Sequence, residues 1–135
     1  MSTEVTSTAE VVAEFFRRFG AGDNAATAAL FAPEVDFCVA GAEFVPWTGE
    51  RSTRAEVEQF LASAVSEVET EQFAVDRVIA DGQSAVALGQ FAHRVKRTGK
   101  LFQSRFALHV EVVDGAIRLY RMFEDSYAVA DAFRD

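Results

Sequence analysis

The sequence is poor in cysteine. The single residue, Cys38, leaves no partner for an internal disulfide and no multi-cysteine metal site. No apolar run approaches the roughly 20 residues of a membrane span. Residues Met1 to Thr8 carry no basic or apolar segment, so no signal peptide is expected and the chain reads as cytoplasmic. Basic residues are outnumbered, with thirteen Lys and Arg against twenty-one Asp and Glu and a net charge of −8. That balance argues against nucleic acid and anionic membranes as partners. The two histidines and scattered carboxylates show no metal-ligand spacing, and no glycine-rich phosphate cradle occurs, so neither metal nor cofactor is expected. Two lysines against eleven arginines, with abundant alanine, suggest a GC-rich bacterial genome.

At 135 residues the chain has room for one domain, 1–135, with 1–7 expected as a disordered tail. Thirteen phenylalanines are more than a small core needs, and they suggest an aromatic-lined cavity.

Helical patterns fill the first half and strand patterns the second, which indicates an α+β segregation. Ser7 and Glu10 have capping-box spacing and open a helix from Thr8 to Gly20, with Val11, Val12, Phe15, Phe16 and Phe19 on one face. Asp23 caps a second helix carrying Ala26, Ala29, Leu30 and Phe31, which Pro33 stops. Val35 to Ala40 reads as a strand and Gly41 to Ser52 as a long loop. Thr53 and Glu56 form a second capping box. It opens a helix whose stripe is Val57, Phe60, Leu61, Ala64, Val65 and Val68. Strands follow over 73–80, 84–97, 101–113 and 116–125, separated by Asp81-Gly82, Thr98-Gly99 and Asp114-Gly115 turns, so the sheet is expected to be mostly antiparallel. Ser126 to Phe133 reads as a terminal helix. Helices over one side of a curved sheet leave a cone, whose interior is the natural small-molecule site.

Several segments taken in order resemble the NTF2-like superfamily and its SnoaL-like group: Phe19-Gly-Ala-Gly-Asp23, Ala29-Leu-Phe-Ala-Pro-Glu-Val-Asp-Phe37, Trp47-Thr-Gly49, Thr98-Gly-Lys100, Asp114-Gly-Ala-Ile117 and Met122-Phe-Glu-Asp125. The resemblance covers about Thr8 to Phe133. It implies an α+β cone, a curved, mostly antiparallel sheet covered on its concave face by three N-terminal helices. Ketosteroid isomerases, whose Asp base, Tyr and protonated Asp are a worked example of pKa tuning, resemble the chain in fold. The resemblance places their base at or next to Cys38, their Tyr on Phe15 and their second Asp on Phe106 or Leu108. The Arg and two Asp of limonene-type epoxide hydrolases fall on Gly89, Phe91 and Met122. Neither constellation is filled.

The same correspondence implies which residues face the cone. They are Ala87, Gly89, Phe91, His93 and Val95 on one strand, Ser104, Phe106 and Leu108 on the next, and Arg118, Tyr120, Met122 and Glu124 on the last. His93 is the expected acid/base, because its ordinary pKa lies near neutrality. Glu124 and Asp36 are candidate second acid/bases, and Tyr120 a hydrogen-bond donor to a ligand oxygen. Phe15, Phe19, Cys38, Trp47, Phe60, Phe91, Phe106, Leu108 and Met122 are candidate substrate-binding residues. Set against each stands a plainer role: a strand end in solvent or a subunit contact for His93, a solvated strand-end charge for Glu124, an exposed turn residue for Asp36, a small buried hydrophobe for Cys38, loop packing for Trp47 and ordinary core for Tyr120 and the phenylalanines. Gln103, Arg105, His109 and Glu111, with Leu119 and Phe123, fall on the outer sheet face, expected as a homodimer contact.

These readings imply a small hydrophobic, oxygenated ligand and cofactor-independent isomerase, dehydratase or cyclase chemistry. The alternative is a binding or dimerisation module without catalysis.

Overall fold

The computed structural model describes residues 7–135; within them the side chains of 64 and 65, two expected stripe positions, lie outside the description. The expected tail also lies outside it, except for Ser7. That residue is the N-cap of helix α1 (Thr8–Gly20), and its capping box with Glu10 is complete. Such a cap contributes about 1 kcal/mol. Val11, Val12 and Phe15 bury the inner face of α1, while Arg17 and Arg18 pair with Glu14 on the outer one.

Helix α2 (Asn24–Ala28) is shorter than the sequence pattern indicated. Phe31 and Pro33 belong instead to strand β1 (Phe31–Val39). Pro33 is tolerated there because β1 pairs irregularly at this point: its register shifts between Glu34 and Phe37 on one side and between Phe31 and Asp36 on the other. The segment that reads as loop in sequence holds a short strand, β2 (Gly49–Thr53), antiparallel to β1. Thr53 then caps α3 (Arg54–Glu67), again with a complete capping box.

Strands β3 (Val68–Asp81), β4 (Ser84–Val95), β5 (Leu101–Val113) and β6 (Ala116–Phe123) form an antiparallel run, and α4 (Ser126–Phe133) follows. Asp114 and Gly115 both have positive φ, 53° and 78°, as a tight turn between twisted strands requires. The six-stranded order is β2-β1-β6-β5-β4-β3, with β1 parallel to β6. The chain is thus an α+β fold whose helices lie against an open, curved sheet. Register shifts in β3, at 70/72 and 75/77, and between β5 and β6, at 111/112, break the regular ladder where the sheet bends.

Burial on β5 alternates without interruption, with Phe102, Ser104, Phe106, Leu108, Val110 and Val112 inward. On β6 the shift changes parity: Ile117 and Tyr120 both point inward, and Arg118 is exposed on the opposite side. This corrects the expectation for Arg118. Phe15 and Phe31, Phe31 and Tyr120, and Phe37 and Phe60 pack ring against ring at the centre. Each fully buried ring contributes up to about 3 kcal/mol over its exposed state.

Candidate functional site

One cavity of about 100 Å³ remains between α1, α3 and the sheet. Three elements bring its polar groups together. Strand β6 aims Tyr120 and Met122 into it, and Glu124 follows at the same two-residue spacing just past the strand end. Strand β4 brings Phe91 and His93 from across the sheet. The segment between β1 and β2 lowers Trp47 over one end, where it meets the edge of Phe133 from α4 at 5.2 Å.

Glu124 is largely buried in apolar surroundings. Burial pushes its pKa up from the ordinary carboxylate value, and one hydrogen bond, Trp47 Nε1 to Oε2 at 3.1 Å, partly opposes that rise. It takes part in no ion pair among the described residues. The backbone beside it is held firmly: the Asp125 N–H donates to Ser104 Oγ at 2.8 Å, and Asp125 caps α4 through the Ala128 N–H. A carboxyl of this kind passes a proton nearer neutrality than a solvated one does.

His93 stacks on Phe91 at 4.6 Å, and its Nδ1 lies 3.0 Å from Thr70 Oγ1. Burial lowers its pKa to about 4, so the imidazole is neutral at pH 7. The sequence argument for His93 rested on an ordinary pKa near neutrality. In the fold it is a neutral hydrogen-bonding group, and Glu124, with its raised pKa, is the stronger candidate for moving a proton.

Tyr120 is buried and stacks on Phe37 at 4.3 Å. Burial raises its pKa, and the nearby Glu124 charge raises it further, so its O–H stays protonated as a donor. Among the described residues the hydroxyl has no hydrogen-bond partner, yet no buried polar side-chain atom there is unsatisfied, so it keeps a little accessible surface, and Tyr120 lines the cavity.

Arg51 was not anticipated, because its segment looked like loop. From β2 its Nη1 donates to the Trp47 carbonyl at 3.0 Å, and its guanidinium lies over Phe60 at 4.9 Å and Phe37 at 5.6 Å. Burial draws its pKa down, yet it remains charged. The links Arg51 to Trp47 to Glu124 therefore connect a cation to the cavity's acid without placing that cation at the wall.

Of the expected site residues, His93, Glu124, Tyr120, Phe15, Phe19, Trp47, Phe60, Phe91 and Met122 surround this cavity. Asp36 does not. It is exposed and pairs with Arg121 at 2.9 Å on the opposite sheet face, because strand alternation turns it away from Phe37. Cys38 shares that parity and also points away. Phe106 faces inward but stands behind the wall, against Phe73 and Phe91 at 5.4 and 5.8 Å. Leu108 is buried in the core beyond it. Phe16, Val39, Val68, Thr70 and Phe73 complete the wall. Because β3 begins at Val68 rather than at Phe73, Val68 is a strand residue and not the end of the helix stripe, and Thr70 is strand where the sequence pattern indicated none. No cluster of three or more metal-ligating side chains occurs among the described residues, and no described helix is long and apolar enough to cross a membrane.

Residues 12–120 match the family model described as SnoaL-like domain. No curated protein matches the chain. Solved structures share its fold. An NTF2-like protein from Burkholderia xenovorans superposes with a TM-score of 0.87 at 22% identity, covering 97% of this chain and 100% of that one. A SnoaL-like protein from Mesorhizobium loti, proposed as a polyketide cyclase, gives 0.71 at 19% identity, covering 85% and 97%. An LEH-like epoxide hydrolase from M. tuberculosis gives 0.72 at 18% identity, covering 96% and 91%.

Proposed function

The chain belongs to the SnoaL-like domain family, and from that premise we propose that it is a cofactor-independent enzyme moving a proton on a small, hydrophobic, oxygenated molecule held in the cone. The observation that carries this reading is Glu124, a largely buried carboxyl without an ion-pair partner among the described residues, lining the same cavity as Tyr120.

In the proposed step, Tyr120 donates a hydrogen bond to the carbonyl oxygen of the guest. The ionised Glu124 carboxylate takes a proton from the adjacent carbon, and the C–H electron pair moves into the enolate. The proton then returns from Glu124 to the same or a conjugated carbon, which gives exchange or isomerisation with no net change in charge. Trp47 supports the ionised form through its indole N–H. His93, neutral and tied to Thr70, orients the guest instead of supplying the proton. A positioned acid/base group of this kind contributes about 10²–10⁴-fold.

The test is deuterium exchange into small ketones, followed by NMR. The reading expects exchange catalysed by the wild type and lost by about 10²-fold or more in Glu124→Gln. Equal exchange by both proteins would refute it. A binding module without catalysis is the second reading, favoured by the unfilled isomerase and hydrolase positions at Phe15, Gly89 and Met122. It expects ketone binding with no exchange above background.

The same proposal pairs two copies through the outer sheet face. There Leu88, Ala107 and Phe123 lie side by side in register across β4, β5 and β6, and Phe123 is 54% exposed.

A further inference from the structure

Resting on that reading of the cavity, we propose that its guest is a neutral, monocyclic or short-chain ketone, and that the Phe19–Phe73 pair sets the upper limit of size. The limit follows first from volume. A dry cavity of roughly 150 Å³ accepts benzene. The space here is about 100 Å³, smaller than that, so the guest is no larger than a single small ring. Sites for drug-sized ligands run to roughly 300–1,000 Å³. A fused ring system does not fit without displacing wall.

The wall shows which part would have to move. Phe15, Phe60 and Tyr120 are locked into the core by rings on several sides. Phe19 and Phe73 also touch neighbouring rings, Phe19 that of Phe15 and Phe73 those of Phe91 and Phe106, but they differ in reaching the surface. Phe19 sits on the last turn of α1 and Phe73 on β3, their rings 6.0 Å apart across the gap between helix and sheet. Phe73 is 36% exposed and Phe19 partly exposed, so this pair closes the cavity toward solvent. Truncating either ring adds space on the side where solvent can replace it.

The charge of the guest follows from the polar groups. Among the described residues no lysine or arginine lines the cavity, and the acid that does, Glu124, would repel a carboxylate or phosphate. An ammonium group would pair with Glu124 but offers no acceptor to the Tyr120 hydroxyl. A carbonyl oxygen does, and it leaves Glu124 free to approach the neighbouring carbon.

The test compares cyclopentanone, cyclopentylammonium, cyclopentanecarboxylate and the fused bicyclic ketone decalone. Binding is read by ligand-observed NMR and α-proton exchange in D₂O, on the wild type, Phe19→Ala and Phe73→Leu. Cyclopentanone is expected to bind the wild type at least 10-fold tighter than either charged analogue, and decalone not to bind it. At least one of the two variants, chosen by retained folding, is expected to gain decalone binding by 10-fold or more relative to cyclopentanone. Decalone binding and exchange in the wild type would overturn the size limit while leaving the proton-transfer reading intact. Preference for the ammonium would overturn the neutral guest. Failure of every ketone to bind would overturn both.

Discussion

The Trp47 indole N–H donates to Glu124 Oε2 at 3.1 Å, joining residues 77 positions apart in the chain. Among the described residues this is the one hydrogen bond supporting the largely buried carboxylate, and it ties the segment between β1 and β2 to the cavity end. Replacing Trp47 by Phe keeps an aromatic ring but removes the donor. The Glu124 pKa should then rise further, and stability at neutral pH should fall by about 1–3 kcal/mol. Side-chain carboxyl NMR and urea denaturation read the two effects separately.

Arg51 acts on the same acid from further back. Arg51→Met removes the hydrogen bond to the Trp47 carbonyl and the charge over Phe60, while keeping much of the side-chain length. Trp47 should loosen. Near-UV circular dichroism and indole fluorescence should report the change, with a stability loss of about 1–3 kcal/mol. An unchanged indole signal would mean that Arg51 does not position Trp47.

The acid limb of the stability curve should carry two opposite contributions. His93 has a folded pKa of about 4 against an ordinary 6.5. Below pH 6.5 the unfolded chain gains a proton that the native state refuses, so stability is full above 6.5 and falls until about pH 4. The loss is on the order of 3 kcal/mol. Glu124 has the reverse sign: its raised pKa makes the native state lose stability as pH rises above 4.5. His93→Gln should flatten the first segment. Glu124→Gln should stabilise the protein near neutrality and lose that advantage below pH 4.5.

Gly89 permits no side chain. A Cβ there would lie 2.2 Å from the Ala74 carbonyl oxygen and 2.7 Å from the Phe106 ring. Backbone cannot yield as a flexible side chain can. Gly89→Ala should destabilise by about 1–3 kcal/mol or more, measured by urea denaturation, and should displace the Phe106 ring that backs the cavity wall.

The outer face gives a test independent of chemistry. If two copies pair through the Leu88–Ala107–Phe123 row, the wild type should sediment as a dimer and Phe123→Arg as a monomer. A wild-type monomer at high micromolar concentration would end the pairing proposal.

Local rules carried much of the fold. The two capping boxes, at Ser7 and Thr53, fixed where α1 and α3 begin, because both partners of each box lie within four residues. Strand alternation, started from the parity that the family resemblance implies, placed Phe91, His93 and Phe106 on the inner face. What failed depended on distant partners. Phe31 reads as helix from its neighbours, yet it joins a strand whose parallel partner lies on β6. Arg118 reads as inward by counting, and a register shift set by the facing strand turns it out. Arg51 has no local pattern at all. Its importance comes from Trp47, Phe37 and Phe60 meeting around it. The pKa of His93 was likewise invisible, since it is set by burial and not by sequence neighbours.

The most direct measurement is the pH titration of the Glu124 side-chain carboxyl by carbon NMR, with and without cyclopentanone. The account predicts a midpoint above the ordinary 4.5, a further rise in Trp47→Phe, and a displaced titration when the ketone is bound. A midpoint at or below 4.5 that ignores both the ketone and the Trp47 substitution would contradict it, because Glu124 would then be an ordinary solvated acid outside the cavity's chemistry.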